Sequence, residues 1–268
     1  MIVIKAGGNG RVDFQAVCED TAALVRQGEQ VILVHGGSHD VDTICTQLGK
    51  PPQYVCSPSG VVSRFTDRET MELFTMVVVG RVNKILVEAL QQLGVNAIGL
   101  SGLDGRLLVA KRKDVLRAVE GGRQKILRGD HSGTIQEVRV DLLRTLLAAG
   151  LTPVVAPVAI SPEGEMLNVD GDRAAAAIAA AMGAERLIIL SNVPGLLRNP
   201  QDESTLIPYI PRSQAETHME RYAQGKMKRK LIGTLEALQH GVAQVVIADG
   251  RVPHPLQRAL AGQGTVIA

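Results

Sequence analysis

Met1-Ile-Val-Ile-Lys5-Ala-Gly7-Gly8 and, further on, Val31-Ile-Leu-Val-His35-Gly36-Gly37 decide the fold. Each is a short aliphatic run that ends on paired glycines and leads into a helix-like stretch. A strand that opens onto a glycine turn and a helix start leaves bare backbone N–H groups at the turn, a ready site for an anion. Two such turns, one with a lysine at the strand tip, point to phosphate chemistry.

The same rhythm continues along the chain. Helices are expected over 13–26, closed by Gly28, and over 39–48. Thr66-Asp-Arg-Glu69 reads as a capping box opening one long helix to about Leu93, stopped by Gly94. The 71–79 stretch is apolar on nearly all sides, which predicts a buried helix or one shared with a second copy of the chain. A third strand follows over 96–101. Residues 106–113 and 124–138 alternate like strands around the turn glycines Gly121-Gly122 and Gly133, predicting a β-hairpin insertion. The first rhythm then resumes with a helix over 140–149, a strand over 153–160, a helix over 173–182 and a strand over 186–190. A helical region at 213–240, a strand at 244–248 and a terminal helix and strand complete the chain. Alternating strands and helices imply an α/β three-layer αβα sandwich with a mainly parallel central sheet.

Totals bound the function. The chain has 268 residues, 45% hydrophobic and 2% aromatic with no Trp, so its core must be aliphatic. A net charge of +2 and few stacking side chains argue against nucleic-acid binding. No apolar window is long enough for a membrane span, and Lys5 and the glycines interrupt any signal peptide. Cys18, Cys45 and Cys56 are odd in number and widely spaced, the usage of reduced thiols in a cytoplasmic protein. Nothing resembles a dedicated metal cage.

Three clusters look chemical. Lys5 reads either as a surface lysine extending its stem or as a phosphate ligand; the loop is neither a Walker A motif nor G-x-G-x-x-G. In Asn168-Val-Asp170-Gly-Asp172, Asn168 could be a turn residue and Asp172 an N-cap, or the three could converge at the mouth of a sheet, where α/β proteins bind ligands. Gly225-Lys-Met-Lys228-Arg-Lys230 could be a solvated basic face, but it interrupts an amphipathic pattern, so at least one lysine should turn inward. Ser191-Asn192-Val-Pro-Gly195 makes one more loop at the same sheet edge.

Taken in order, Lys5-Ala-Gly7-Gly8, His35-Gly36-Gly37, Arg64-Phe-Thr66, Asn168-Val-Asp170-Gly-Asp172 and Gly225 to Lys230 resemble the amino acid kinase family across almost the whole chain. Within it the chain resembles the acetylglutamate kinase branch. His35-Gly-Gly-Ser38, where a third glycine is usual, departs from that pattern. Together with Ser57-Pro-Ser-Gly60, Ser63-Arg-Phe-Thr-Asp-Arg68, Leu100-Ser-Gly-Leu-Asp-Gly105 and Arg128-Gly-Asp-His-Ser-Gly133, it is similar to the kinases that act on α-aminoadipate held on the acidic carrier LysW.

The resemblance implies ATP, with Mg²⁺ carried on it, as cofactors and an acyl phosphate as product. It implies Lys5 and Lys230 flanking the transferring phosphoryl group, with Asp172 holding both lysines. Gly36, Gly37, Arg64 and Asn168 would bind the amino acid, and Gly7 and Gly8 the phosphates. Ser191, Asn192, Gly195 and Lys228 would line the ATP site. Residues 1–170 would form a lobe for substrate and dimerisation, and 171–268 a lobe for ATP, both sharing one sheet.

Lys111 to Arg128 carries seven basic residues against Asp114 and Glu120, a local +5. It is either an ordinary charged hairpin or, through Lys111, Arg112, Lys113, Lys125 and Arg128, a landing strip for the acidic carrier. Free acetylglutamate and carrier-bound glutamate, intermediates of an arginine-type pathway, are the rival substrates; a non-catalytic nucleotide sensor is the rival class.

Overall fold

Alternate residues of the first strand, Ile2–Ala6 (β1), enter different cores. Ile2, Ile4 and Ala6 join one apolar cluster and Val3 the other. The same parity holds in Val31–His35 (β2), where Val31 and Leu33 face the first cluster and Ile32 and Val34 the second. Strands buried on both faces read as continuous aliphatic runs, which is why these segments show no polar alternation. Lys5 shares the parity of Val3, and His35 that of Leu33.

The computed structural model describes residues 1–8, 10–58, 60, 62–113, 115–120 and 123–268. Further strands are β3 (Gln53–Cys56), β4 (Val62–Phe65), β5 (Ala97–Ser101), β6 (Leu108–Arg112), β7 (Leu116–Glu120) and β8 (Arg123–Leu127). They continue with β9 (Gly133–Val138), β10 (Thr152–Ala156), β11 (Val158–Ile160), β12 (Met166–Asn168) and β13 (Arg186–Ser191). The last are β14 (Tyr209–Ile210), β15 (Gln244–Asp249) and β16 (Thr265–Ile267). Helices are α1 (Phe14–Arg26), α2 (Ser38–Gln47), α3 (Arg68–Thr75), α4 (Asn83–Gln92) and α5 (Val140–Ala148), then α6 (Gly171–Met182), α7 (Ala215–Tyr222), α8 (Gly225–Gln239) and α9 (Pro255–Leu260).

Among the described residues the main sheet runs β14-β16-β15-β13-β1-β2-β10-β5. Its pairs are parallel except β15–β16. Helices α5, α6 and α8 cover one face, and α1, α2, α3, α4 and α9 the other. This is the α/β three-layer architecture that the alternation predicts. Strands from both halves of the chain meet at the β1–β13 pair.

Several boundaries differ from the sequence reading. The capping box does not form: Asp67, not Thr66, caps α3, accepting from the Thr70 N–H at 2.8 Å. Thr66 is fully buried and its N–H donates to Asp130 instead. The single long helix is three pieces, with π-helical turns over Met76–Val82 between α3 and α4. The expected 153–160 strand divides at Pro157, which cannot donate to a ladder and restrains the residue before it; β10 stays in the main sheet and β11 leaves it. The helical region near the C-terminal end breaks at Ala223, which is extended.

The insertion is more than one hairpin. β6 and β9 pair with each other and extend β11 and β12 into a four-stranded sheet. β7 and β8 form the hairpin proper and join β3 and β4 in another. Asp114 and the turn glycines Gly121 and Gly122 lie outside the described residues.

Candidate active site

Parity puts the Lys5 side chain on the sheet face covered by α6 and α8, and both helices answer it. Asp170 caps α6, its carboxylate accepting from the N–H groups of Asp172 and Arg173 at 3.0 and 3.1 Å. Asp172 is therefore not the N-cap; it stands in the first turn with its side chain free to point inward. Lys5 Nζ lies 2.9 Å from Asp172 Oδ1, and Lys230 Nζ, from α8, lies 3.0 Å from Oδ2. All three side chains are buried. A two-pronged pair between Arg173 and Glu236, at 3.0 and 2.6 Å, fastens α6 to α8 beside them.

Burial works to raise the Asp172 pKa, but the ammonium groups of Lys230 and Lys5 outweigh it and hold the carboxyl below its usual range. Lys230 lies below an ordinary lysine: burial first, and then the neighbouring Lys5, lower its pKa and together outweigh the pull of Asp172. Two ammonium groups share one carboxylate, so the cluster carries a net positive charge where water is scarce. Such a charge is costly unless an anion arrives to balance it.

The anion's place is a cleft of about 500 Å³ whose wall includes all three charged groups. Gly7, Gly8, Gly36, Gly37, Arg64, Asn168, Ser191 and Asn192 also border it, as does Lys113 from the insertion. Gly195 and Lys228 are not among its lining residues. Gly195 packs instead against Thr265, where a Cβ would stand 2.5 Å from the hydroxyl oxygen. Lys226 and Arg229 border the cleft from the same turn of α8 that carries Lys228.

The two glycine loops touch. A Cβ on Gly8 would fall 2.0 Å from the Gly37 nitrogen, and one on Gly36 would fall 2.6 Å from the Gly8 nitrogen. Only hydrogen side chains allow that approach. The Gly7 N–H donates to Leu190 O and the Gly36 N–H to Ala6 O. Among the described residues the Gly8 and Gly37 N–H groups donate to no backbone carbonyl, so these two, one in the loop after β1 and one at the N-cap of α2, can serve a ligand.

On the opposite wall Arg64 is buried, 2.6 Å from Asp42, and donates to Ser38 O and the Tyr54 hydroxyl. Asn168 Nδ2 donates to the Thr66 hydroxyl at 3.2 Å. Arg229 crosses the mouth from α8, pairing with Asp170 at 3.5 Å and donating to the Val62 carbonyl in β4. Asp42 and Tyr54 escaped the sequence reading, because their partner Arg64 is distant in the chain; Asp170, Lys226 and Arg229 lie inside clusters that the sequence singles out, without a role of their own there.

Residues 1–249 match the model of the amino acid kinase family. The chain belongs to the amino acid kinase family. It is 54% identical, over its whole length and 91% of the relative, to the LysW-aminoadipate kinase of Deinococcus radiodurans. It is 50% identical to the LysW-aminoadipate kinase of Thermus thermophilus, with both chains covered in full. A relative from Nitrosopumilus maritimus, 43% identical over 97% of this chain and 96% of its own, is described as a putative LysW-aminoadipate/LysW-glutamate kinase. Among solved structures, N-acetylglutamate synthase from Neisseria gonorrhoeae superposes with a TM-score of 0.80 at 25% identity, covering all of this chain and 59% of that one. Carbamate kinase from Giardia lamblia bound to AMP-PNP superposes at 0.69, with 15% identity, over 99% and 97% of the two chains. That last likeness speaks for the amino acid kinase fold alone.

Among the described residues no group of three His, Cys, Asp or Glu side chains is placed to hold a metal ion. No helix among them is long and apolar enough to cross a membrane.

Proposed function

We propose that this amino acid kinase transfers the γ-phosphoryl group of ATP to the side-chain carboxylate of α-aminoadipate, held through its amino group on a small acidic carrier protein of the LysW type. The observation that carries the reading is the Lys5–Asp172–Lys230 cluster at the wall of a cleft bordered by two glycine loops. The names of the relatives supply the substrate.

A carboxylate is already ionised at neutral pH, so the reaction requires no general base. One carboxylate oxygen bonds to the γ-phosphorus as the bond to the β-phosphate bridging oxygen breaks; ADP leaves with the electron pair and an acyl phosphate remains. The obstacle is the approach of two anions. Lys5 and Lys230 supply positive charge on the two sides of the transferring group, Asp172 fixes their spacing, and the Gly8 and Gly37 amides add donors. Mg²⁺ carried on the nucleotide would neutralise part of the triphosphate charge, the rest falling to the lysines and amides. Arg64 and Asn168 hold the amino acid, and Ser191, Asn192 and Lys226 face the nucleotide. In this reading residues 1–170 form the substrate lobe and 171–268 the ATP lobe, in a cytoplasmic protein.

The carrier docks on the insertion. Lys111, Lys113 and Arg128 are exposed there, with Arg117 and Arg123 beside them, and Lys113 also borders the cleft. Arg112 contributes less than its charge suggests, because Glu165 at 2.7 Å and the Asp130 carbonyl already hold it. The exposed Met76 and Ile85 on the α3–α4 run support a homodimer through that face; light scattering at micromolar concentration reads a dimer if so, and a monomer removes this element.

An ADP-release assay with ATP and Mg²⁺ tests the function. It compares the carrier bearing aminoadipate, the carrier bearing glutamate, free acetylaminoadipate and free acetylglutamate. Preference for carrier-bound aminoadipate is expected. Preference for carrier-bound glutamate, the second of the two substrates that the Nitrosopumilus relative's description names, would move the chain to the neighbouring pathway, and turnover of free acetylglutamate alone would refute the carrier.

A further inference from the structure

His35 ends β2 with its ring fully buried, on the sheet face opposite Lys5. Its environment fixes which nitrogen holds the proton. Asn83, the first residue of α4, places a side-chain atom 2.9 Å from the Val154 carbonyl oxygen. A carbonyl only accepts, so that atom is the amide nitrogen. The same nitrogen lies 3.0 Å from His35 Nε2. Its second proton therefore points at Nε2, which must be the acceptor, and the ring proton sits on Nδ1. Nδ1 lies 2.8 Å from the carbonyl oxygen of Gly36 and donates to it. Burial first, then the charges of Lys5 and Lys84, push the ring's pKa down to about 4 against the opposing pull of the Gly36 carbonyl, so it stays neutral.

The Gly36–Gly37 peptide is trans. In a trans peptide the C=O and the next N–H point to opposite sides of one plane. Pinning the Gly36 oxygen inward on His35 turns the Gly37 N–H outward, away from the ring. Without that restraint a Gly-Gly peptide has little to resist flipping, since neither residue carries a Cβ.

We infer that His35 is a positioning residue for phosphoryl transfer: held as one neutral tautomer by Asn83, it anchors the Gly36 carbonyl and so presents the Gly37 amide to the cleft as a preorganised donor. The inference rests on the kinase reading above. It makes the buried side of the loop, fixed from α4, part of the catalytic apparatus. Preorganised amides act on charge that develops in the transition state, so their loss falls on turnover rather than on nucleotide affinity.

Two substitutions separate this role from mere packing. In His35→Asn the side-chain amide nitrogen occupies the place of Nδ1 and still donates to Gly36. In His35→Gln the amide overlaps Nε2, keeps Asn83 satisfied and leaves the Gly36 carbonyl without its donor. The expected result is a kcat reduced roughly 10- to 100-fold in His35→Gln, a fraction of what one full transition-state donor supplies. KM for ATP should stay within about threefold in that variant, and His35→Asn should recover most of the turnover. Equal losses in both variants, or a wild-type kcat in His35→Gln, overturn the inference. Nitrogen-15 spectra of histidine-labelled wild-type protein give a readout independent of activity: a protonated Nδ1 with a bare Nε2 is expected at neutral pH, and a proton on Nε2 overturns it. Should wild-type protein fail to phosphorylate any of the four acceptors, the kinase reading fails while the tautomer result still stands or falls alone.

Discussion

Lys5, at the tip of the first strand, and Lys230, in the last long helix, each bring Nζ to within 3.0 Å of a different oxygen of the Asp172 carboxylate. One acid thus sets the spacing of two cations drawn from opposite ends of the chain. The arrangement has consequences that can be measured one at a time.

Removing either cation removes charge that the transferring phosphoryl group needs. Lys5→Ala and Lys230→Ala are each expected to lower kcat by roughly 10²–10³, the loss typical of one transition-state donor. Circular dichroism should report a folded protein in both cases. Turnover close to wild type in either variant contradicts the assignment.

Asp172→Asn leaves two buried ammonium groups facing a neutral amide. Breaking a buried pair from one side costs about 3–5 kcal/mol, so urea unfolding at neutral pH should show a marked loss of stability. The sign of the pH dependence follows from the lowered pKa of Asp172. Its contribution is fully present above the ordinary carboxylate range and is lost as pH falls toward its folded value. The gap between wild type and Asp172→Asn should accordingly narrow in acid; a gap that stays constant from neutral pH down to acid unfolding counts against the pairing.

Lys230 gives an opposite pair of trends in alkali. Because burial lowers its pKa, the folded protein releases this proton before the unfolded chain does. Activity should fall along an alkaline limb that lies below the ordinary lysine range, while this residue's contribution to stability rises over the same window. Lys230→Arg, which cannot lose its proton there, should abolish the limb whatever its absolute rate. A pH–kcat profile of both proteins checks this, and an unchanged limb in the variant refutes it.

Apposed glycine loops leave no room for a methyl group. Gly8→Ala would drive its Cβ against the Gly37 nitrogen, 2.0 Å away, and overpacking of this kind typically costs about 1–3 kcal/mol. Loss of turnover together with a lower melting temperature is expected. A Gly8→Ala protein with native kinetics would mean that the two loops do not meet in solution.

Charge reversal at Lys111, Lys125 and Arg128 should raise KM for the loaded carrier while leaving KM for ATP unchanged. Wild-type carrier KM should itself rise with salt, as steering by a basic patch requires. A carrier KM indifferent to both salt and the substitutions removes the docking surface from the insertion.

Much of this was legible in the sequence, for identifiable reasons. β1 and β2 are buried on both faces, so they appear as unbroken aliphatic runs, and their glycines mark the turns. The α6 start was legible as a place but not as a geometry: Asp170 and Asp172 both suit a cap, and only the folded chain shows that Asp170 takes the backbone amides while Asp172 takes the lysines. Thr66 imitates a capping box because its local spacing is right, yet Asp130, far along the chain, claims its N–H. The Arg64–Asp42, Arg229–Asp170 and His35–Asn83 pairs have no spacing signature, since strand pairing and helix packing create them. Arg112 reads as one of several basic residues of the insertion, and only the fold sets Glu165 beside it.

A crystal structure with a non-hydrolysable ATP analogue and Mg²⁺ tests the central claim most directly. The account predicts the γ-phosphate between the Lys5 and Lys230 ammonium groups, within hydrogen-bonding distance of both, with Asp172 still bridging them. A triphosphate bound elsewhere, with the two lysines still turned only toward Asp172, would contradict it.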